Sequence, residues 1–255
     1  MKEILITNDD GYEAEGLRVL AESLRDLGRV TIVSPSTEKS SCGHGLTLTR
    51  PLKFIGVADD FYKLDDGTPS DCVYLALHSL YATKPDLVVS GINHGANLGE
   101  DATYSGTVAA ALEAVLHGVN SIAISQVMTK DKNGIYGCDF SLAAQTINAI
   151  AAKILRDDLP LPPRQFLNIN VPNIEPKLCE GIRVTRGSWR NYNHNAVRRE
   201  NPRGEEYFWL GGHPFDFNET QNGDYGAIQE NFVSITPLLC DLTAHGSIEI
   251  LQKWL

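Results

Sequence analysis

Two aspartates, Asp9 and Asp10, lie side by side directly after a short apolar run near the start of the chain. Successive side chains of a strand point to opposite faces, so adjacent carboxylates converge only if the backbone turns, and Gly11 permits such a turn. Two carboxylates at one site repel each other and raise a pKa unless a cation joins them. A hard divalent ion would relieve this repulsion. The alternative is that both aspartates cap the following helix, which is the commoner role of such a segment taken alone.

A second polar segment, residues 90–99, follows a strand predicted at 87–89. Asn93 and Asn97 offer amide oxygens and N–H donors in this segment. Three glycines allow its backbone to approach a ligand closely. Asn93 is therefore a candidate third metal ligand beside the two aspartates. The alternative is a glycine-rich turn whose asparagines bond only their own backbone.

Ser105, Gly106 and Thr107 open a strong helical pattern at 108–117. The free backbone N–H groups and the dipole of a helix make its N-terminus an anion site, and two hydroxyls add donors. The alternative is an ordinary N-cap by Ser105.

A long polar loop, residues 36–46, follows the second predicted strand. The hydroxyl of Ser40 or Ser41 is a candidate contact to a metal or a phosphate. His44 and His94 also fall in loops of this kind, and the sequence leaves their roles open between general acid and ordinary surface residue.

The elements that position these residues alternate between strand and helix patterns. Strands are predicted at 4–7, 30–33, 87–89, 122–124 and 166–171, with helices at 17–27, 71–81, 108–117 and 140–155 and a mixed strand and hairpin region at 46–64. This alternation predicts an α/β fold with a mostly parallel sheet, and all four polar segments lie at or beyond strand carboxyl ends, where such sheets bind ligands. The shared location favours one composite site.

The character of the sequence changes after Pro172. Two strands at 181–186 and 206–212 and a hairpin turn at 197–207 predict an arm that projects from the body and pairs with another subunit, the alternative being a surface loop without a partner. We therefore expect a catalytic core at 1–180 and a C-terminal extension at 181–255 that packs partly back on the core.

The charge, cysteine content and motifs of the chain disfavour several classes of function. The 255 residues carry a formal net charge of -10, which disfavours a nucleic-acid polymer as partner. The sequence shows no membrane span, and its first apolar run is too short for a signal peptide. Five scattered cysteines without a CxxC pair predict reduced thiols in a cytoplasmic protein. The glycine fingerprint of dinucleotide sites, the P-loop lysine and the G-x-S-x-G nucleophile elbow are all missing.

Seven motifs in order resemble the SurE survival-protein nucleotidases. They are ILITNDDG at 4–11, GTPSDCVYLAL at 67–77, PDLVVSGINHGANLG at 85–99, YSGTVAAALEA at 104–114, NINVP at 168–172, YFWLGG at 207–212 and FVSITPL at 232–238. The resemblance implies a Rossmann-like three-layer α/β domain with a projecting C-terminal β-hairpin region. It also implies a homodimer or homotetramer formed partly by swapped C-terminal elements.

The same resemblance implies a phosphatase that depends on one divalent cation, Mg²⁺ or Mn²⁺, and acts on nucleoside 5′- and 3′-monophosphates, with short polyphosphate as a further substrate. The implied metal ligands are Asp9, Asp10, Ser40 and Asn93, of which the two aspartates are also catalytic. The implied phosphate contacts are Asn97, Ser105, Gly106 and Thr107. Whether a water or an aspartate attacks the phosphorus stays open, and the alternative function is a non-catalytic nucleotide sensor.

Overall fold

The structure is a computed structural model that describes residues 1–130, 133–191, 196–210, 217–218 and 222–255, with only the backbone of 217–218. Fifteen strands and six helices follow one another in these residues. In chain order they are β1 (Glu3–Thr7), α1 (Glu15–Leu24), β2 (Arg29–Pro35), β3 (Phe54–Ala58), β4 (Phe61–Leu64), α2 (Pro69–Ser79), β5 (Leu87–His94), α3 (Gly106–Leu116), β6 (Ser121–Gln126), β7 (Thr129–Lys130), β8 (Tyr136–Gly137), α4 (Ser141–Asp157), β9 (Gln165–Val171), β10 (Gly181–Val184), β11 (Trp189–Arg190), β12 (Val197–Glu200), β13 (Glu206–Trp209), β14 (Phe217–Asn218), α5 (Asp224–Gln229), β15 (Phe232–Leu239) and α6 (His245–Trp254).

Nine of these strands form one mixed sheet in the order β10-β15-β9-β6-β5-β1-β2-β4-β3. Neighbours run parallel except at β9–β15 and β3–β4. One core cluster joins the sheet to α1 and α4, and a second joins the opposite face to α2 and α3. The predicted three-layer α/β fold with a mostly parallel sheet is therefore confirmed.

The central strand β1 shows why the apolar runs predict this fold. Ile4 and Ile6 belong to the cluster on one face, whereas Leu5 belongs to the cluster on the other, and all three are fully buried. A strand covered by helices on both faces needs consecutive apolar residues rather than alternation.

The strand predicted at 87–89 is longer than expected, because β5 continues to His94 after a register shift between Ser90 and Asn93. Gly91 permits the irregularity: its φ is 140°, and a Cβ there would lie 2.3 Å from the carbonyl oxygen of Ile124. Asn93 therefore stands at the end of a paired strand and not in a free loop.

Part of the C-terminal extension belongs to the main sheet, and part lies outside it. β10 and β15 are the sheet's outer strands at one edge, so the strand predicted at 181–186 joins the main sheet. The hairpin turn predicted at 197–207 contains a strand of its own, because β12 pairs antiparallel with β13. Residues 211–212 of the strand predicted at 206–212 lie outside the described residues. Exposed aromatic side chains cover β13, and α6 buries none of its residues. The division at residue 180 remains a prediction.

Among the described residues, every helix is too short or too polar to cross a membrane.

Candidate functional site

The carboxyl ends of three parallel strands meet at one edge of the sheet. β1 pairs with β2 on one side and with β5 on the other. At this edge lie the turn after β1, the loop after β2 and the last residues of β5. The N-terminus of α3 lies against the same turn, since a Cβ on Gly106 would be 2.8 Å from the Cβ of Asp9.

The turn after β1 is held by Asn8. Its fully buried side chain accepts a 2.5 Å hydrogen bond from the Ser34 hydroxyl and donates one of 2.9 Å to the carbonyl oxygen of Gly11. Gly11 has a φ of 97°, which favours glycine. Helix α1 begins later, after Ala14, without a side-chain cap. The alternative that the aspartates cap this helix is therefore wrong.

Asp9 is a buried acid at the centre of the site, with 4% of its surface exposed. Its Oδ1 accepts a 2.5 Å hydrogen bond from the Thr107 hydroxyl. The pKa of Asp9 is raised to about 6: burial raises it most, the Thr107 hydrogen bond lowers it, and the charge of the neighbouring Asp10 raises it. At neutral pH the site therefore holds a buried negative charge.

Asp10 lies beside it in a less enclosed position. Its Oδ2 accepts a 3.1 Å hydrogen bond from the backbone N–H of His94 at the end of β5. Burial raises the pKa of Asp10, the His94 hydrogen bond opposes this rise, and the charge of Glu38 adds to it. The turn after β1 is thus linked directly to the end of β5.

The two remaining implied metal ligands flank this acidic pair. Ser40 is exposed in the loop after β2 and donates a 2.7 Å hydrogen bond to Glu38. Asn93 donates from Nδ2 to the carbonyl oxygen of Gly95 at 2.8 Å, and no described hydrogen bond uses its Oδ1. The structure therefore shows no direct contact of either side chain with an aspartate, while both lie on segments that border the pair.

The chemistry of these donors fits a hard divalent cation. In the described part of the chain no lysine or arginine pairs with either aspartate, and Lys39, whose backbone N–H donates to the carbonyl oxygen of Asp9, pairs through its side chain with Asp66 at 2.6 Å. Oxygen atoms of carboxylate, amide and hydroxyl groups are the ligands such ions prefer. Within the described ranges no cluster of three or more His, Cys, Asp or Glu has a metal-binding arrangement, so neutral oxygens would have to complete the coordination.

The first turn of α3 borders the acidic pair. The oxygen of Ser105 accepts a 3.1 Å hydrogen bond from the N–H of Val108, so the N-cap role of Ser105 is confirmed. The first N–H groups of a helix lack intrahelical acceptors. With Val108 satisfied, the N–H group of Gly106 remains for an anion, whereas Thr107 donates hydrogen bonds to Asp9 from its hydroxyl and from its backbone N–H.

Asn97 is held by residues that the sequence analysis did not single out. Its backbone N–H donates to Oδ1 of Asn170 at 2.8 Å, and its carbonyl oxygen accepts from Asn170 at 3.1 Å and from Asn168 at 2.9 Å. Its side-chain amide donates to Ser125 at 2.7 Å. Polar residues alternating with apolar ones in the otherwise buried β9 were the available signal.

The two loop histidines have different surroundings. The backbone of His94 contacts Asp10, and its ring lies 6.3 Å from that of Phe140. Nε2 of His44 lies 2.6 Å from Oε2 of Glu113 on α3.

Fold and site together define a class of protein: a three-layer α/β protein with an acidic pair at the strand carboxyl ends, of which Asp9 is buried, facing the N-terminus of a helix. The family model described as "Survival protein SurE" matches residues 4–194. The chain belongs to the SurE family.

Relatives match the chain over its whole length. It is 54% identical to the 5′-nucleotidase SurE of Campylobacter curvus, with 99% of each chain covered. It is 52% identical to the 5′-nucleotidase SurE of Helicobacter hepaticus, with 100% of this chain and 99% of the relative covered. The crystal structure of the SurE protein from Aquifex aeolicus shares 39% identity and superposes with a TM-score of 0.85 over 99% of both chains.

Proposed function

We propose that this protein is a divalent-metal-dependent phosphatase that hydrolyses nucleoside 5′- and 3′-monophosphates, with short polyphosphate as a further substrate. The observation that carries the proposal is the contact between Asp9 and Thr107, which joins the acidic pair to a helix N-terminus suited to phosphate. The relatives named as 5′-nucleotidases support the choice of substrate class.

The proposed cofactor is one Mg²⁺ or Mn²⁺ held by Asp9, Asp10, Ser40 and Asn93. When bound, such an ion neutralises the carboxylates, polarises a phosphoryl oxygen and lowers the pKa of water.

The chain's own residues bind and orient the substrate. The N–H group of Gly106, with Ser105 and Thr107 beside it in the first turn of α3, binds phosphate oxygens and stabilises the charge that shifts onto these oxygens during the reaction. Asn97, fixed through its backbone by Asn170, contributes its side-chain amide. These hydrogen-bond donors attract phosphate locally, although the protein as a whole carries a net charge of -10.

The acidic pair acts on, or supplies, the group that attacks the phosphorus. Asp9 or Asp10 positions the attacking water or accepts its proton. The competing route is direct attack by an aspartate, giving a phosphoaspartate. A single turnover with substrate labelled in its phosphate group, quenched in acid, separates the two routes, because label that stays on the enzyme and is released by hydroxylamine identifies a phosphoaspartate.

The testing experiment measures phosphate release from nucleoside 5′- and 3′-monophosphates and tripolyphosphate, with Mg²⁺, Mn²⁺ or a chelator. We expect release that requires metal and is abolished by the chelator. Release unaffected by the chelator contradicts the metal dependence. Tight nucleotide binding without release under any condition favours the non-catalytic sensor.

We also propose that the protein assembles as a homodimer or homotetramer through its C-terminal extension. Large apolar side chains lie exposed on two elements of the described extension, β13 and α6; they are Tyr207, Phe208, Trp209, Ile248, Ile250, Leu251 and Trp254. Exposed apolar surface of this extent is typical of subunit interfaces.

A further inference from the structure

The loop of residues 36–47, here called the site loop, crosses the start of α3. The backbone N–H of Lys39 donates to the carbonyl oxygen of Asp9 at 2.7 Å, and that of Gly43 donates to Tyr104 at 2.9 Å. The sulfur of Cys42 lies 2.9 Å from the position of a Cβ on Gly106. The site loop therefore covers the place where the acidic pair meets the helix.

Glu113 contacts this loop from further along α3. It lies about two turns after Gly106, and its side chain is only 4% exposed. Oε2 lies 2.6 Å from Nε2 of His44 in the site loop, and Oε1 lies 2.9 Å from Nε2 of His117 on the same helix. One buried carboxylate is thus shared between a loop histidine and a helix histidine.

The carboxylate is ionised in this setting. Burial opposes ionisation, but the hydrogen bonds and charges of His44 and His117 outweigh it and lower the pKa of Glu113. A buried carboxylate that loses a partner becomes costly, so the contact with His44 is a strong constraint on the loop. His117 is fixed separately, because its ring packs against Tyr74 and His78 of α2 at centroid distances of 5.3 and 4.9 Å.

We propose that Glu113 is a positioning residue that holds the site loop, through His44, against α3 beside Asp9. It touches neither the acidic pair nor the first turn of α3 in the described contacts, so it acts through the loop. The expected effect of Glu113 on the kinetics rests on the proposed phosphatase function, whereas its expected effect on the order of the site loop does not.

Two variants form a matched pair. His44→Ala and His117→Ala each remove one of the two donors of the same carboxylate, and only the first donor belongs to the site loop. His44→Gln is the conservative variant, since it keeps an N–H donor for Glu113.

The first readout is hydrogen exchange of peptides from residues 37–46 in chelator, without substrate. We expect exchange in His44→Ala to be about tenfold faster or more, which is the effect of losing one hydrogen bond to a charged group. We expect wild-type exchange in His117→Ala and partial recovery in His44→Gln. Unchanged exchange in His44→Ala, or an equal change in His117→Ala, overturns the proposal.

The second readout is the split between KM and kcat for nucleotide hydrolysis. A displaced loop raises KM by about tenfold in His44→Ala with a smaller change in kcat. A fall in kcat alone indicates a catalytic role and overturns the positioning role. If the wild-type protein releases no phosphate, the proposed function fails, and the exchange experiment still decides whether Glu113 orders the loop.

Discussion

The hydroxyl of Thr107, in the first turn of α3, donates a 2.5 Å hydrogen bond to Oδ1 of Asp9, in the turn after β1. Thr107 is fully buried and Asp9 is 4% exposed, so water does not compete for this contact. The bond favours the ionised form of Asp9 and thereby opposes the effect of burial on its pKa.

Replacing Thr107 by valine removes this hydrogen bond with little change of volume. Because the bond lowers the pKa of Asp9, its loss raises that pKa above about 6. If ionised Asp9 is required, the acid limb of the profile of kcat/KM against pH moves to higher pH by about one unit. The measurement is that profile for Thr107→Val between pH 5 and 9. Thr107→Ser keeps the hydroxyl and retains the wild-type limb; overlapping Thr107→Val and wild-type profiles would refute the role of this bond.

The charge of Asp9 reduces the stability of the metal-free protein. Its pKa rises from an ordinary 3.8 to about 6 on folding, so the folded state binds the proton more tightly. The free energy of unfolding therefore falls as pH rises from about 4 to about 6, and at pH 7.5 the loss is on the order of 3 kcal/mol. We predict that Asp9→Asn melts several degrees higher than wild type in chelator at pH 7.5 while its turnover falls by orders of magnitude.

Calorimetry with and without Mn²⁺ completes this test. Added metal should raise the melting temperature of the wild type and leave that of Asp9→Asn unchanged, because the variant lacks a ligand. A less stable Asp9→Asn protein in chelator, or equal stabilisation of both proteins by metal, is incompatible with the assignment.

Much of the site's location was predictable because apolar runs identify strands buried on both faces. Once β1, β2 and β5 are parallel neighbours, their carboxyl ends must meet, which brings together the segments that carry Asp9, Ser40 and Asn93. The resemblance to a known family then implied roles for individual residues that the pattern alone left open.

The partners of these side chains were not predictable. The hydrogen bond from the Thr107 hydroxyl to Asp9 depends on how α3 lies over β1. Long-range packing determines that arrangement. One of the two partners of the buried Glu113 is His44, which comes from a loop 69 residues earlier. The extension of β5 to His94 depends on a local irregularity at Gly91, which an apolar pattern cannot show.

Gly106 is predicted to tolerate no side chain. A Cβ there would lie 2.8 Å from the Cβ of Asp9 and 2.9 Å from the sulfur of Cys42, both closer than real contacts allow. Gly106→Ala must therefore displace the aspartate or the site loop, and we expect kcat/KM to fall at least a hundredfold, the penalty of a misplacement of about 1 Å.

A second helical glycine provides the control. A Cβ on Gly226 in α5 would meet nothing within 4 Å, so Gly226→Ala should retain activity and gain up to about 1 kcal/mol of stability. Similar kinetics for Gly106→Ala and wild type would show that the first turn of α3 is not packed against the acidic pair.

Helix α6 is predicted to carry a subunit interface. Ile250 and Trp254 are 68% and 78% exposed, and burying each is worth about 1.5–3 kcal/mol, counted twice in a symmetric dimer. Ile250→Ser combined with Trp254→Ser should therefore convert the wild-type assembly to monomers, measured by light scattering after size-exclusion chromatography over a range of concentrations. Gln252→Ser, an exposed polar change on the same helix, should leave the mass unchanged. A monomeric wild type at every concentration, or a double variant of wild-type mass, would rule out this interface.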